Sequence, residues 1–408
     1  MSEKKETKSA ILSSLTANPS GLRIVAIGDK KRYEANKLLL GNNCRFENDE
    51  KKIEYENIDV IVICGEYMLV HKSLSHVYIH ICDVINKKAE SHWDLNNYCI
   101  KKDLNIHSSN PYIVEYNRKY INTNIMNVIK HHYMKNKKCK LRILSVGCGV
   151  GYFERSLLNH KHMFSEIRGC DISSISIKNA REEAGKIDVD GIVDYFIHDS
   201  NNEDFKGERY DIIVANNCVH HVERLEFFYE NIKKALDKNG VFIQSEYVCK
   251  PRFQHPRILI MTINFLLCFI LRKEYKKVPT QRYKRPHLHD MIAGDASEAV
   301  RSDEIIPMTK KYFPYTLVRR MPYMLMHRFY QCVNTDFFHT NEKRTLKWCF
   351  LIFAIEKLLI FFKLYGGGYA YLVSAFENVK TYKPFMFKKV SALDFWNGLR
   401  QACSKGTS

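Results

Sequence analysis

The chain alternates short apolar runs with polar, helix-periodic stretches, and this pattern predicts an α/β protein. Residues 22–27 and 58–64 read as buried strands, with helices expected over 30–40 and 68–86. A stronger series begins at 141–146, where Leu141, Ile143, Leu144 and Val146 form a strand that passes directly into Gly147-Cys148-Gly149-Val150-Gly151. Tyr152, Phe153, Leu157 and Leu158 then recur as on one face of a helix. Further strands are expected at 167–171, 193–198, 210–215 and 240–246, the last after a helix closing at 237–240. These strands end at Asp171, Asp199, Asn216 and Glu246, so a parallel sheet is predicted with its polar residues gathered at the carboxyl ends.

Glycines at a strand-to-helix turn accept positive φ and let a ligand lie against the main chain, while the next helix offers unpaired N–H donors. An acid at the tip of the second strand, here Asp171, suits the hydroxyls of a ribose. A dinucleotide fingerprint spaces its glycines as G-x-G-x-x-G, whereas Gly147, Gly149 and Gly151 alternate strictly.

LSVGCGVG, the acid of GCDIS, the acid of IHDSN, and YDIIVANNCVHHV followed by IKKALDKNGVFIQSEYV together resemble a class I S-adenosylmethionine-dependent methyltransferase over roughly residues 110–250. The resemblance implies a seven-stranded Rossmann-like sheet, with 315–320 as sixth strand and 370–377 as the antiparallel seventh. It implies S-adenosylmethionine as cofactor. Gly147, Cys148, Gly149 and Gly151 would face its methionine part, Asp171 and Ile172 its ribose, and Asp199 its adenine, with Asn216 at the fourth strand's tip. Ser145 stands where the family often carries an acid, so the cofactor's amino group is expected to meet Glu154 or backbone carbonyls instead.

Methyl transfer to a hydroxyl requires a base, and His220, His221 and Glu246 are the catalytic candidates at the ends of the fourth and fifth strands. Packing against the cofactor is the alternative role for the histidines. The run EYVCKPRFQ and the later ASEAVRS resemble a methyltransferase subgroup that accompanies glycan biosynthesis. That likeness implies Arg252, Gln254, Glu298 and Arg301 as substrate-side residues and methyl transfer to an oxygen or nitrogen of a small-molecule or glycan-like acceptor, with a basic cap suited to phosphate.

The 63 Lys and Arg against 45 Asp and Glu give a formal charge of +18, which points either to an anionic partner or to compositional bias. Nucleic acid is the second partner class, but the turn Ala215-Asn216-Asn217-Cys218 lacks the pattern associated with methylating base amines. A cofactor-binding scaffold without turnover is the third reading. Thirteen cysteines without a C-x-x-C pair predict free thiols and a cytoplasmic location, and no metal site is expected, the spacing of His71, His76 and His80 included.

The expected organisation is a tail over 1–20, a small Rossmann-like α/β domain over 21–100, a methyltransferase domain over 105–378 and a C-terminal tail over 379–408. Helical caps are expected at 251–310 and 323–365. Residues 258–271 form an apolar run of 14, too short to cross a bilayer and flanked by ten Lys and Arg against one acid between 250 and 285. Such a helix either lies at a membrane surface or caps the cleft. Tyr112, Tyr116 and Tyr120 align on a helix expected over 111–133, as a cover for the cofactor or as core.

Overall fold

The computed structural model describes residues 22–28, 30–40, 44–47, 58, 60–64, 77–80, 85, 123–188, 191–269, 282–333, 342–377 and 379–386. The tail over 1–20, the linker near 87–110, His71, His76, Tyr112, Tyr116, Tyr120 and the chain after 386 lie outside the described residues.

Two sheets organise the chain. The smaller holds β1 (Ile24–Gly28), β2 (Arg45–Glu47), β3 (Val60–Cys64) and β4 (Val77–His80) in the order β2-β1-β3-β4, all parallel. The strand at 77–80 corrects the helix expected over 68–86. Val-Tyr-Ile-His is a run of β-branched and aromatic residues, and pairing with the buried β3 outweighs the helical spacing around it.

The larger sheet contains β5 (Leu141–Val146), β6 (Phe164–Asp171), β7 (Val193–Ile197), β8 (Tyr210–Asn216), β9 (Leu236–Tyr247), β10 (Tyr315–Met321) and β11 (Tyr369–Ala375). Its seven strands run in the order β10-β11-β9-β8-β5-β6-β7, with β11 antiparallel to both neighbours and the other pairs parallel. The order reverses between β5 and β8, and a ligand crevice is expected at such a switch point. β9 starts at Leu236, so residues 237–240 belong to the strand and not to the preceding helix. They lie in a register shift, for Tyr210 pairs with Leu236 while Ile212 already pairs with Val241.

Helical periodicity explains the flanks. In the helix Leu225–Ala235, Leu225, Phe228, Tyr229, Ile232 and Ala235 are buried, a stripe that packs on β8, β9 and the helix Ile305–Tyr312. A cap is built from helices Arg257–Phe269, Met324–Tyr330 and Glu342–Phe361, whose shared core includes Leu259, Ile263, Leu325, Phe329 and Ile352. Among the described residues no helix is long and apolar enough to cross a membrane. The nine described cysteines are free thiols.

The small sheet is anchored to the large domain through the segment before Ile305. Ile292, Ala296 and Val300 share a core with Ile24, Ala26, Val60 and Val62. Arg32 pairs with Glu226 at 3.0 Å and Glu223 at 3.6 Å, and Arg32 and Glu223 are themselves buried.

Candidate functional site

The carboxyl ends of β5, β6 and β8 open onto a cavity of about 460 Å³ lined by Gly147, Cys148, Gly149, Asp171, Ile172, Asp199, Asn217, Cys218, His221 and Ser297, among others. That size lies in the range of small-ligand sites. Gly147, Gly149 and Gly151 all have positive φ, +68°, +54° and +76°. A Cβ on Gly149 would meet nothing within 4 Å, whereas one on Gly151 would come 2.5 Å from Tyr195 Oη. Gly149 therefore presents bare backbone to open space, and Gly151 is required by close packing.

Asp171 ties the loop to the sheet. Its Oδ2 accepts from the Gly149 N–H and its Oδ1 from the Ser173 N–H, both at 2.9 Å. Burial raises its pKa, with these N–H donors opposing the shift. Beneath the loop, the carboxyl of Glu154 is fully buried beside Ser145, and burial pushes its pKa up to about 7 against the lowering effect of the Ser145 hydroxyl. Bare glycine backbone, with the carboxylate of Asp171 across the loop and the buried Glu154 beneath, is a donor and charge set that fits a cofactor carrying an amino acid moiety and a ribose.

The opposite wall is polar and tightly linked. Glu246, fully buried at the end of β9, accepts from the Cys218 and Val219 N–H groups on Oε1, each at 2.9 Å, and from His220 Nδ1 on Oε2 at 2.8 Å. The Nε2 of His220 lies 3.5 Å from Glu298 Oε1. His221 Nδ1 is 3.0 Å from Ser297 Oγ, and that hydroxyl donates to Asp295 Oδ1 at 2.7 Å. Burial pushes the His220 pKa down, but the hydrogen bond and charge of Glu246 outweigh it and the net shift is upward. Burial and the neighbouring His220 lower that of His221. The two rings thus differ in proton affinity although they are adjacent, with centroids 4.3 Å apart.

Several sequence-predicted residues are elsewhere. Ser145 is buried inside β5, and Gly151, Asn216, His220, Glu246 and Glu298 stand behind or beside the cavity wall rather than in it. Arg252 and Arg301, expected on the substrate side, are corrected to internal anchors. Arg252 donates to the carbonyls of Ala296 at 2.6 Å and Glu298 at 3.1 Å, and to Asn36 at 2.7 Å. Arg301 donates to Glu226 at 2.7 and 2.8 Å and to Glu304 at 2.7 Å. A buried guanidinium needs such partners, and these leave both side chains in the seam with the small sheet. Gln254 donates to the carbonyls of Arg252 and Pro286, again away from the cavity.

The cavity also takes in Tyr152, Ser176, His198, Asn201, Asn217 and Ser297, which sequence reasoning missed. His198 and Asn217 adjoin predicted residues and were within reach of it. Ser297 and its partner Asp295 carried no signal beyond lying in or beside the ASEAVRS segment.

Residues 144–242 match the family model described as a methyltransferase domain. An ubiquinone biosynthesis O-methyltransferase from Pelagibacter ubique is 27% identical over 157 residues, 38% of this chain and 59% of that protein. A sterol 24-C-methyltransferase from Candida albicans is 31% identical over 113 residues, 28% of this chain and 30% of that protein. The chain thus spans less than two thirds of the length of these relatives. Among solved structures, an S-adenosylmethionine-dependent methyltransferase from Mesorhizobium loti is 26% identical, covering 28% of this chain and 51% of that chain at a TM-score of 0.25.

Proposed function

We propose that this chain, whose residues 144–242 form a methyltransferase domain of the S-adenosylmethionine-dependent class, methylates a hydroxyl group of a small acceptor that enters beside His221. One observation carries the reading. The bare backbone of Gly149 and the carboxylate of Asp171 share a single cavity with His221 and Ser297, so a cofactor site and a proton-accepting wall adjoin.

S-adenosylmethionine supplies an electrophilic methyl group on a sulfonium when bound. The Gly147–Gly151 backbone holds its amino acid end, while Asp171 and Ile172 take the ribose and Asp199 the adenine. His221 lines the cavity and has a depressed pKa, so it is neutral at pH 7 and can accept the acceptor's hydroxyl proton. Glu246 does not itself line the cavity. It acts as a positioning residue that fixes the His220 ring behind His221.

A hydroxyl acceptor agrees with the relative named as an O-methyltransferase. Glycan-type hydroxyls, favoured by the EYVCKPRFQ and ASEAVRS likeness, belong in the first acceptor panel beside phenolic compounds. Arg252 and Arg301, engaged in the seam, are not available to a phosphate-bearing acceptor.

Calorimetric titration with S-adenosylmethionine tests the cofactor half: micromolar binding is expected, lost in Asp171→Ala, with none for a nicotinamide dinucleotide. A labelled methyl group followed into the acceptor panel tests the rest. A folded sample that binds no S-adenosylmethionine overturns the reading.

A further inference from the structure

His220, His221 and Glu298 each offer a ligand atom, and these atoms all lie within 4.8 Å of one another. The separation of His220 Nε2 from Glu298 Oε1, 3.5 Å, is close to the ~3.4 Å edge of a tetrahedron built on metal–ligand bonds of about 2.0–2.1 Å. A pair of donors at that distance needs little movement to share an ion.

The surroundings match those of a metal-ligating histidine pair. Because the buried carboxylate of Glu246 accepts from His220 Nδ1, a neutral His220 carries its proton on Nδ1 and turns its Nε2 lone pair toward Glu298. His221 is held in the same manner through Ser297 to Asp295. Both rings are therefore oriented by a carboxylate behind them, one directly and one through a hydroxyl.

A second observation comes from Asp295. Its Oδ2 is buried, has no hydrogen-bond partner, and lies 3.6 Å from His221 Nδ1. Three carboxylates, Glu246, Asp295 and Glu298, thus face two imidazoles. Arg252 is the guanidinium behind this turn, and its Nη1 is engaged by the backbone carbonyls of 295, 296 and 298. A divalent cation among the side chains would balance the excess of acid.

We propose that His220, His221 and Glu298 bind a divalent transition-metal ion beside the cavity, against the wall that His221 lines. Two imidazoles and one carboxylate suit zinc over magnesium, and three protein ligands leave a position for an acceptor oxygen. Its role rests on the methyltransferase reading, whereas its binding does not. With the ion in place His221 is a ligand rather than the base, and the coordinated hydroxyl is acidified by the cation. The hydroxyl proton leaves to water, the oxygen forms the new bond to the methyl carbon, and the electron pair of the broken S–C bond stays on sulfur. The acceptor class narrows accordingly to hydroxyl compounds able to ligate a metal, vicinal diols and catechol-like phenols foremost.

The test uses the full chain, stripped with a chelator and dialysed. Titration with zinc chloride by calorimetry, and with cobalt chloride by visible absorption, should each give one site per chain, with a tetrahedral-type cobalt spectrum. Glu298→Gln and Ser297→Ala should weaken zinc, the first by about a hundredfold and the second by about tenfold. Far-ultraviolet circular dichroism, unchanged in both variants, shows that the fold is intact. Zinc binding that is absent, or equally tight in Glu298→Gln, overturns the site. Zinc binding without any S-adenosylmethionine binding instead overturns the enzymatic reading and leaves the metal site standing.

Discussion

Arg252 donates from its guanidinium to the side-chain oxygen of Asn36 at 2.7 Å, across 216 residues of chain. The same side chain holds the carbonyls of Ala296 and Glu298, and its own N–H bonds to the Ala299 carbonyl at 2.8 Å. The small sheet is thereby joined to the segment carrying Asp295, Ser297 and Glu298, which contact the histidine pair. The Val300 N–H completes the link by donating to the His220 carbonyl at 3.0 Å. The N-terminal unit therefore acts as a brace for one wall of the cavity.

Arg252→Ala removes this brace and leaves buried acceptors unpaired, at a cost of about 2–4 kcal/mol. Chemical denaturation should report the loss, and hydrogen exchange at 24–28 and 60–64 should accelerate. S-adenosylmethionine affinity should stay within about threefold of the parent. A substrate contact would behave differently, weakening the acceptor while leaving protection of the small sheet untouched.

The glycines of the loop should respond unequally to the same substitution. Alanine at 149 carries the left-handed strain of about 1–2 kcal/mol but meets no neighbour, so the fold survives while the new methyl group occupies ligand space. At least a tenfold loss of S-adenosylmethionine affinity is expected. Alanine at 151 adds a collision with Tyr195 to the strain, and its main effect should be a lower melting temperature. Equal effects on binding and melting at both positions would contradict the division of labour between these glycines.

The glycine-loop wall of the cavity was legible in the sequence because its determinants are local. The run from Leu141 through Gly151 is contiguous, and Asp171 and Asp199 end strands whose apolar periods are plain. On the other wall His220, His221, Glu246 and Glu298 were named from the sequence but their pairings were not, since these form only on folding: Ser297 reaches His221 across 76 residues, and Glu246 reaches His220 across 26. Arg252 and Arg301 were misread for the same reason. A charged side chain near a cleft looks like a substrate contact until its partners are known, and those partners lie on Asn36 and Glu226. The strand at 77–80 escaped notice because four residues are too few to establish a period against a longer helical pattern.

Glu246 can be probed through the ring it holds. In Glu246→Gln one amide oxygen can keep the Cys218 and Val219 N–H groups, but the amide NH₂ then faces His220 Nδ1 and donates to it. The imidazole proton must move to Nε2. Nitrogen-15 spectra of labelled histidine should show this exchange of tautomers, with the fold retained. Glu246→Ala leaves two buried N–H groups unpaired and should cost about 2–5 kcal/mol. An unchanged tautomer in the glutamine variant would mean that Glu246 does not control the ring.

The cap contains a separate pH-sensitive contact. Glu356, fully buried on the helix Glu342–Phe361, accepts from the Met324 and Leu325 N–H groups at 3.0 Å each and so caps the helix Met324–Tyr330. Burial raises its pKa to about 8 from an ordinary value of 4.5, with the N–H groups opposing the shift. The folded state thus binds this proton more tightly than the unfolded chain does. The associated stability is complete below about pH 4.5 and is lost as pH rises toward 8, by an amount on the order of 5 kcal/mol. Glu356→Gln keeps an acceptor for the helix and removes the titration. Thermal melts between pH 5 and 8.5 should show the variant less sensitive to rising pH than the parent and more stable at the alkaline end. Parallel curves for the two proteins would place the Glu356 carboxyl in contact with water.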